Sequence, residues 1–258
     1  MNIFIQILIC FLSGMGAGLG TGFAGMSAAA VITPMLVTFL KMEPYEAVGI
    51  ALASDVLASG ISAYEYRKHK NLDIKNGSIM LVSVMLFTIL GSLVSNNVAN
   101  GTMGTMSIAI TFLLGVRFMA KPIMTTKAAM AGISSKKRIV RSIICGTYIG
   151  FICGFVGAGG GMMMLLVLTS VLGYELKTAV GTSVFIMTFT AFTGSVSHFF
   201  IDGKPNFLIL SLCVIFTLLW ARIAARIANK AEPKTLNRMT GMILIILAIV
   251  VFIFNLYS

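Results

Sequence analysis

The chain has 258 residues, 58% of them hydrophobic and 10% charged, with a mean hydropathy of +0.98. A soluble domain of this length needs far more charge to cover its surface, so the composition excludes one and points to an integral membrane protein. The formal charge of +11 would suit nucleic acid in a polar chain; in one this apolar it reads as lysine and arginine retained in cytoplasmic loops.

In chain order, the apolar blocks cover about 1–40, 45–66, 76–97, 100–119, 139–172, 175–201, 206–229 and 236–257. They are long and continuous rather than alternating, so the spans are helical and not those of a β-barrel. The start, MNIFIQILIC, has no basic n-region and no small-residue cleavage site, and it reads as the first span. Six blocks suit one crossing each. The first and fifth exceed the roughly 20 residues that cross a bilayer and fall short of two crossings. Both are also interrupted by glycine. Each is therefore expected to be a full helix followed by a shorter half-helix that re-enters, a hairpin returning to its starting side.

The two broken blocks are copies. At an offset of 132 (146 − 14), Gly14, Gly18, Gly22, Phe23, Gly25, Leu36, Leu40, Glu43, Ala47, Val48 and Gly49 match Gly146, Gly150, Gly154, Phe155, Gly157, Leu168, Leu172, Glu175, Ala179, Val180 and Gly181. Paired glycine-interrupted segments in two halves mark a repeat-built transporter with its substrate site at the interruptions. The halves are residues 1–120 and 139–258. Between them lies a basic linker, 121–138, with Lys121, Lys127, Lys136, Lys137 and Arg138 and no acidic residue.

Charge bias sets the orientation. The linker, the loop with Arg67, Lys68, Lys70 and Lys75, and the segment with Arg222, Arg226, Lys230, Lys234 and Arg238 should all be cytoplasmic; the uncharged loop from Asn97 to Thr105 should be outside. The trace closes only if both broken blocks are hairpins. The halves then have opposite orientation, both termini lie outside, and only Lys41 and Lys204 fall in outside loops. The expected fold is an all-α polytopic membrane protein of two inverted-topology repeats.

The glycines at spacing four, Gly14/Gly18/Gly22 and Gly146/Gly150/Gly154, lie on one helix face each and let another backbone approach closely. The two faces are expected to meet near the pseudo-two-fold axis. Gly25-Met26-Ser27 and the run containing Gly157, Gly159, Gly160 and Gly161 carry glycine too densely for stable helix, at about 1 kcal/mol each. Half-helices starting there aim free N–H groups at a polar cavity, which holds an anion without a formal cation. Thr182 and Ser183, and Ser27, Ser54 and Ser59 from the first half, could add hydroxyl donors, although such hydroxyls often bond their own backbone. Asp55, mid-block, is the candidate for proton coupling; its counterpart is Met187 (55 + 132). Tyr64, Tyr66, Tyr257 and Trp220 suit an aromatic belt, Glu65 and His198 suit the interface, and the four cysteines suit small core positions. No motif asks for a metal or a cofactor, and none indicates an enzyme.

The segments GMGAGLGTGFAGMSAAAVITP, AVGIALASD and YRKHKNLD, with the second copy GFVGAGGGMMM and AVGTS, resemble the TauE/SafE family of sulfite and sulfonate exporters. Pro34 fits that pattern; Leu166 stands where a second proline is usual. The resemblance implies a multi-pass permease of a prokaryotic plasma membrane for small sulfur-containing or organic anions. The expected partners are such an anion and the lipid bilayer, with no nucleic acid, and a homodimer is left open. The alternatives to an exporter working by alternating access are a passive anion channel and a membrane-embedded enzyme or assembly factor.

Overall fold

The structure is a computed structural model and describes residues 3–95, 112–113, 115–128, 134–156, 160–202 and 205–257. Nine helices have defined bounds among these residues: α1 (Ile3–Ala24), α2 (Ala29–Leu40), α3 (Pro44–Lys68), α4 (Ile74–Ser95), α5 (Ser135–Val156), α6 (Gly160–Ser170), α7 (Leu176–Asp202), α8 (Phe207–Lys230) and α9 (Pro233–Tyr257). Five described helices are long and apolar enough to cross a bilayer: Ile3–Ala24, Pro44–Lys68, Leu176–Val196, Phe207–Lys230 and Pro233–Ile253. The chain is an all-helical, multi-pass membrane protein. The uncharged loop from Asn97 to Thr105 lies outside the described residues.

Helix ends follow local chemistry. Gly25 at φ +61° ends α1, its N–H bonding the Thr21 carbonyl at 2.9 Å, the left-handed cap that glycine adopts without steric cost. Pro44 opens α3 at a position where an N–H would have no partner. Asn206 caps α8, its side chain accepting from the Leu208 and Ile209 amides. Ser135 opens α5, so Lys136, Lys137 and Arg138 of the 121–138 linker segment ride on the first turn of a helix.

Both broken blocks contain a long and a short helix. Gly16 of α1 faces Val31 of α2, so α2 folds back along α1 after the break. Its 12 residues reach about 18 Å, short of a ~30 Å hydrocarbon core. Helix starts recur at the repeat offset: Ile3 and Ser135, Pro44 and Leu176 differ by 132 (135 − 3, 176 − 44).

The packing exchanges helices between halves. Along α1, Gly14 meets Phe216, Gly18 meets Trp220 and Gly22 meets Ala224, so α1 and α8 run parallel. Gly146 meets Met80 and Gly150 meets Val84, so α5 and α4 run parallel too. The two glycine stripes therefore do not meet: each receives the fourth helix of the other half. At the centre stand α3 and α7, where Gly194 faces Leu52, Gly60 faces Thr188 and Gly181 faces Tyr66. These counterpart helices are antiparallel. Helix α9 runs opposite to α1, with Thr240 donating to the Phe23 carbonyl at 3.1 Å and Leu247 beside Gly16 and Gly20. The Ile3 end of α1 and the Tyr257 end of α9 thus lie on one side.

Candidate functional site

The connection between α1 and α2 is held by a carboxylate from α3. Asp55 is 1% exposed and takes hydrogen bonds from Ser27 Oγ to Oδ2 at 2.7 Å, from Ser59 Oγ to Oδ1 at 2.8 Å and from the Ala28 amide. Ser27 Oγ in turn accepts from the Ala29 amide at 3.3 Å. A negative group at the first turn of a helix is where the backbone dipole favours it, and three donors offset the desolvation of a buried carboxylate. The first half-helix thus has a carboxyl group of the protein itself at its N-terminus.

The second half comes to the same place. Ser183 of α7 lies against Gly25, where a Cβ would collide with its hydroxyl. A Cβ on Gly161 would meet the Gly25 carbonyl, the Ser27 amide at 3.1 Å and Met187 Sδ at 2.5 Å. Asp55 and its counterpart Met187 therefore each face the start of their own half-helix. Gly25, Ser27, Gly161, Ser183 and Asp55 form one connected group; Gly157 and Gly159 lie outside the described residues.

The remaining candidates are placed elsewhere or differently. Gly160 is half-buried at the first residue of α6. Met26 is buried and lies against Gly20, and the Ser54 hydroxyl donates to its own helix at the Ile50 carbonyl. Ser183 Oγ donates to Val180 O at 2.9 Å. Thr182 points away from the breaks: its Oγ1 accepts from the Asp73 amide at 3.2 Å. There Asp73 also accepts from Tyr174 Oη at 2.8 Å and Asn76 Nδ2 at 2.6 Å, with the Arg138 guanidinium at 3.9 Å. Burial and the neighbouring Asp73 carboxylate push the Tyr174 phenol above its ordinary range, so it stays a donor.

Two side chains assigned to the interface are interior. Tyr66 is fully buried and donates to the Gly22 carbonyl at 2.8 Å, satisfying an open carbonyl at the end of α1. Glu65 is 2% exposed and holds Arg222 and Arg226 at 3.2 and 2.9 Å. A phenol or a carboxylate at a helix end reads alike in sequence whether it faces water or a neighbouring helix. Ser59, expected to offer its hydroxyl to an anion, donates it to Asp55, four residues away on the same helix face. Cys10, Cys145 and Cys213 are buried free thiols.

Comparison with known proteins follows this architecture. The model of the "Sulfite exporter TauE/SafE" family matches residues 10–251, which include both breaks, both half-helices and the α3–α7 centre. The chain belongs to the TauE/SafE family. It is similar to the probable membrane transporter protein YunE of Bacillus subtilis (strain 168), 26% identical over 94% of this chain and 96% of that one. A probable membrane transporter protein of Methanocaldococcus jannaschii is 26% identical over 93% and 91%, and one of Haemophilus influenzae 26% over 97% and 99%. As a TauE/SafE protein the chain is a membrane transporter rather than an enzyme.

Proposed function

We propose that this transporter exports small sulfur-containing or organic anions, such as sulfite or sulfonates, by alternating access between two inverted repeats. The anion is held by backbone N–H groups at the paired helix breaks, and Asp55 carries a coupled proton. The observation that carries this reading is the meeting of the two breaks: Gly161, opening one half-helix, touches Gly25 and Ser27, which precede the other. The antiparallel contact of the counterparts α3 and α7 supports inversion, since it requires a two-fold axis across them rather than along them. The placement of the Ile3 end of α1 and the Tyr257 end of α9 on one side supports both termini sharing a side, and the bias of Lys and Arg to the opposite loops favours that side being outside a prokaryotic plasma membrane.

The tightness of the break supports a carrier. Neither Gly25 nor Gly161 has room for a methyl group, so the site opens to an anion when α6 and α7 draw away from the α1–α2 connection, which favours a carrier over a permanently open pore. A ligand that binds only the folded state raises the melting temperature, by about 2.7 kcal/mol of stability at 100 times its Kd. Purified protein should therefore be heated with sulfite, thiosulfate, sulfate, taurine, sulfoacetate, acetate or chloride. A shift with a sulfur oxyanion or sulfonate, absent in Gly160→Leu, is expected. No shift with any of them, together with no sulfite counterflow in proteoliposomes, would sink the small-anion reading.

A further inference from the structure

The outward stripe of α8 changes character along its length. Leu208, Ile215 and Leu219, 45–53% exposed, are followed at the same helical spacing by Arg222, Arg226 and Lys230, all exposed. The three cations span about 12 Å of helix. Helix α3 runs beside it in the same direction, fixed by Glu65 to Arg222 and Arg226 and by Asn71 Nδ2 donating to Asn229 Oδ1 at 2.6 Å. Its outward stripe makes the same change, from Leu57 and Tyr64, 47% and 59% exposed, to exposed Arg67 and Lys68. Five cations therefore gather at the same level, where two lipid-facing apolar stripes end.

The arginines are held in place. The one carboxylate among them, Glu65, is buried between the helices and takes the Nε of each. Both arginine side chains remain 45% and 50% exposed. With the exposed Glu232 just beyond Lys230, two acids stand against five bases, which leaves an excess of positive charge on the lipid-facing surface. The last turns of α4, the fourth helix of the first repeat, carry no Lys or Arg from 86 to 95, so the arginine pair serves one side of the membrane only.

We infer that the C-terminal ends of α3 and α8 form a binding site for the headgroup of an acidic phospholipid in the cytoplasmic leaflet. Its acyl chains lie on Leu57, Ile215 and Leu219, and its phosphate is held by Arg222 and Arg226 with Lys68 and Lys230 beside them. One lipid satisfies both halves of the surface: apolar contact along the stripe and a fixed anion at its basic end, where planar guanidinium groups suit phosphate. A second copy of the chain fits poorly, because two-fold pairing through this face would set one cation cluster against its twin.

The test is native mass spectrometry of the full chain released from mixed micelles of phosphatidylglycerol and phosphatidylcholine, with melting temperatures measured in parallel. Wild type should retain phosphatidylglycerol selectively. K68Q/K230Q leaves the Glu65 pairs intact and should weaken retention by about fivefold per cation removed. The triple variant E65Q/R222Q/R226Q, which leaves no buried carboxylate unpaired, should abolish selectivity. Equal retention of the two lipids, unchanged retention in both variants, or a chain dimer sealed through this face would each overturn the inference. So would inorganic phosphate raising the melting temperature as much as phosphatidylglycerol does, because the site would then belong to a soluble anion.

Discussion

Asp55 lies at the N-terminus of a half-helix, with both carboxyl oxygens taken by Ser27 and Ser59. Asp55→Asn keeps the volume and part of the bonding but removes the titration. In the proposed mechanism it should abolish uphill movement driven by a proton gradient while leaving anion exchange measurable. Loss of both in a variant that still folds would instead give Asp55 a binding role. Gly25 combines two constraints, a left-handed backbone and contact with the Ser183 hydroxyl. Gly25→Ala should cost about 1–2 kcal/mol from φ alone, plus the collision. Melting temperatures would separate the two parts, because Ser183→Ala in the same chain should relieve only the second.

Between elements, the α1–α8 seam depends on backbone meeting backbone. A Cβ on Gly18 would stand 2.6 Å from the Thr217 carbonyl oxygen and 2.7 Å from the Ala221 nitrogen, and neither can move without its helix. Gly16 of the same helix faces only the ends of Val31 and Leu247, at 3.3 and 3.4 Å. Gly18→Ala is therefore expected to lower the melting temperature sharply. Gly16→Ala should stay within about 1 kcal/mol of wild type, the gain in helix propensity offsetting slight crowding. Similar melting temperatures for the two would mean that the seam is looser than this packing. Tyr66→Phe, which removes the bond to Gly22 O, should cost about 1 kcal/mol in the same assay.

Over the whole molecule, the exchange of helices ties the halves together. Each long first helix is held by the other repeat, and the antiparallel pair α3–α7 stands at the centre. Moving one repeat as a rigid unit would tear both seams, so the motion proposed for alternating access must carry α1 with α8 and α5 with α4. The break between α1 and α2 would then act as a hinge. Orientation is directly measurable. Single cysteines at Phe4 and at Phe252, near the outer ends of α1 and α9, should both react with an impermeant thiol reagent added to intact cells, and one at Lys75 should not. Labelling at Lys75 alone would invert the proposed topology.

Much of this was legible in one dimension. Long apolar runs force helices because a bilayer offers backbone groups no other partner, so the class of protein and the extent of most spans follow from the residues alone. The internal copy and the positions of both helix breaks are likewise written locally, in glycine density. Glycine spacing showed that the stripes at Gly14–Gly22 and Gly146–Gly154 wanted close neighbours. It could not name α8 and α4, because small residues specify a distance of approach and not an identity. The same limit explains Thr182, which has the same hydroxyl as a site residue yet faces Asp73, and Tyr66 and Glu65, whose partners on α1 and α8 lie 44 and 157 residues away or more. Sequence by itself determined what each segment must do with its backbone; only the tertiary structure decided which side chains face one another, because those contacts depend on how helices far apart in the chain are rotated and paired.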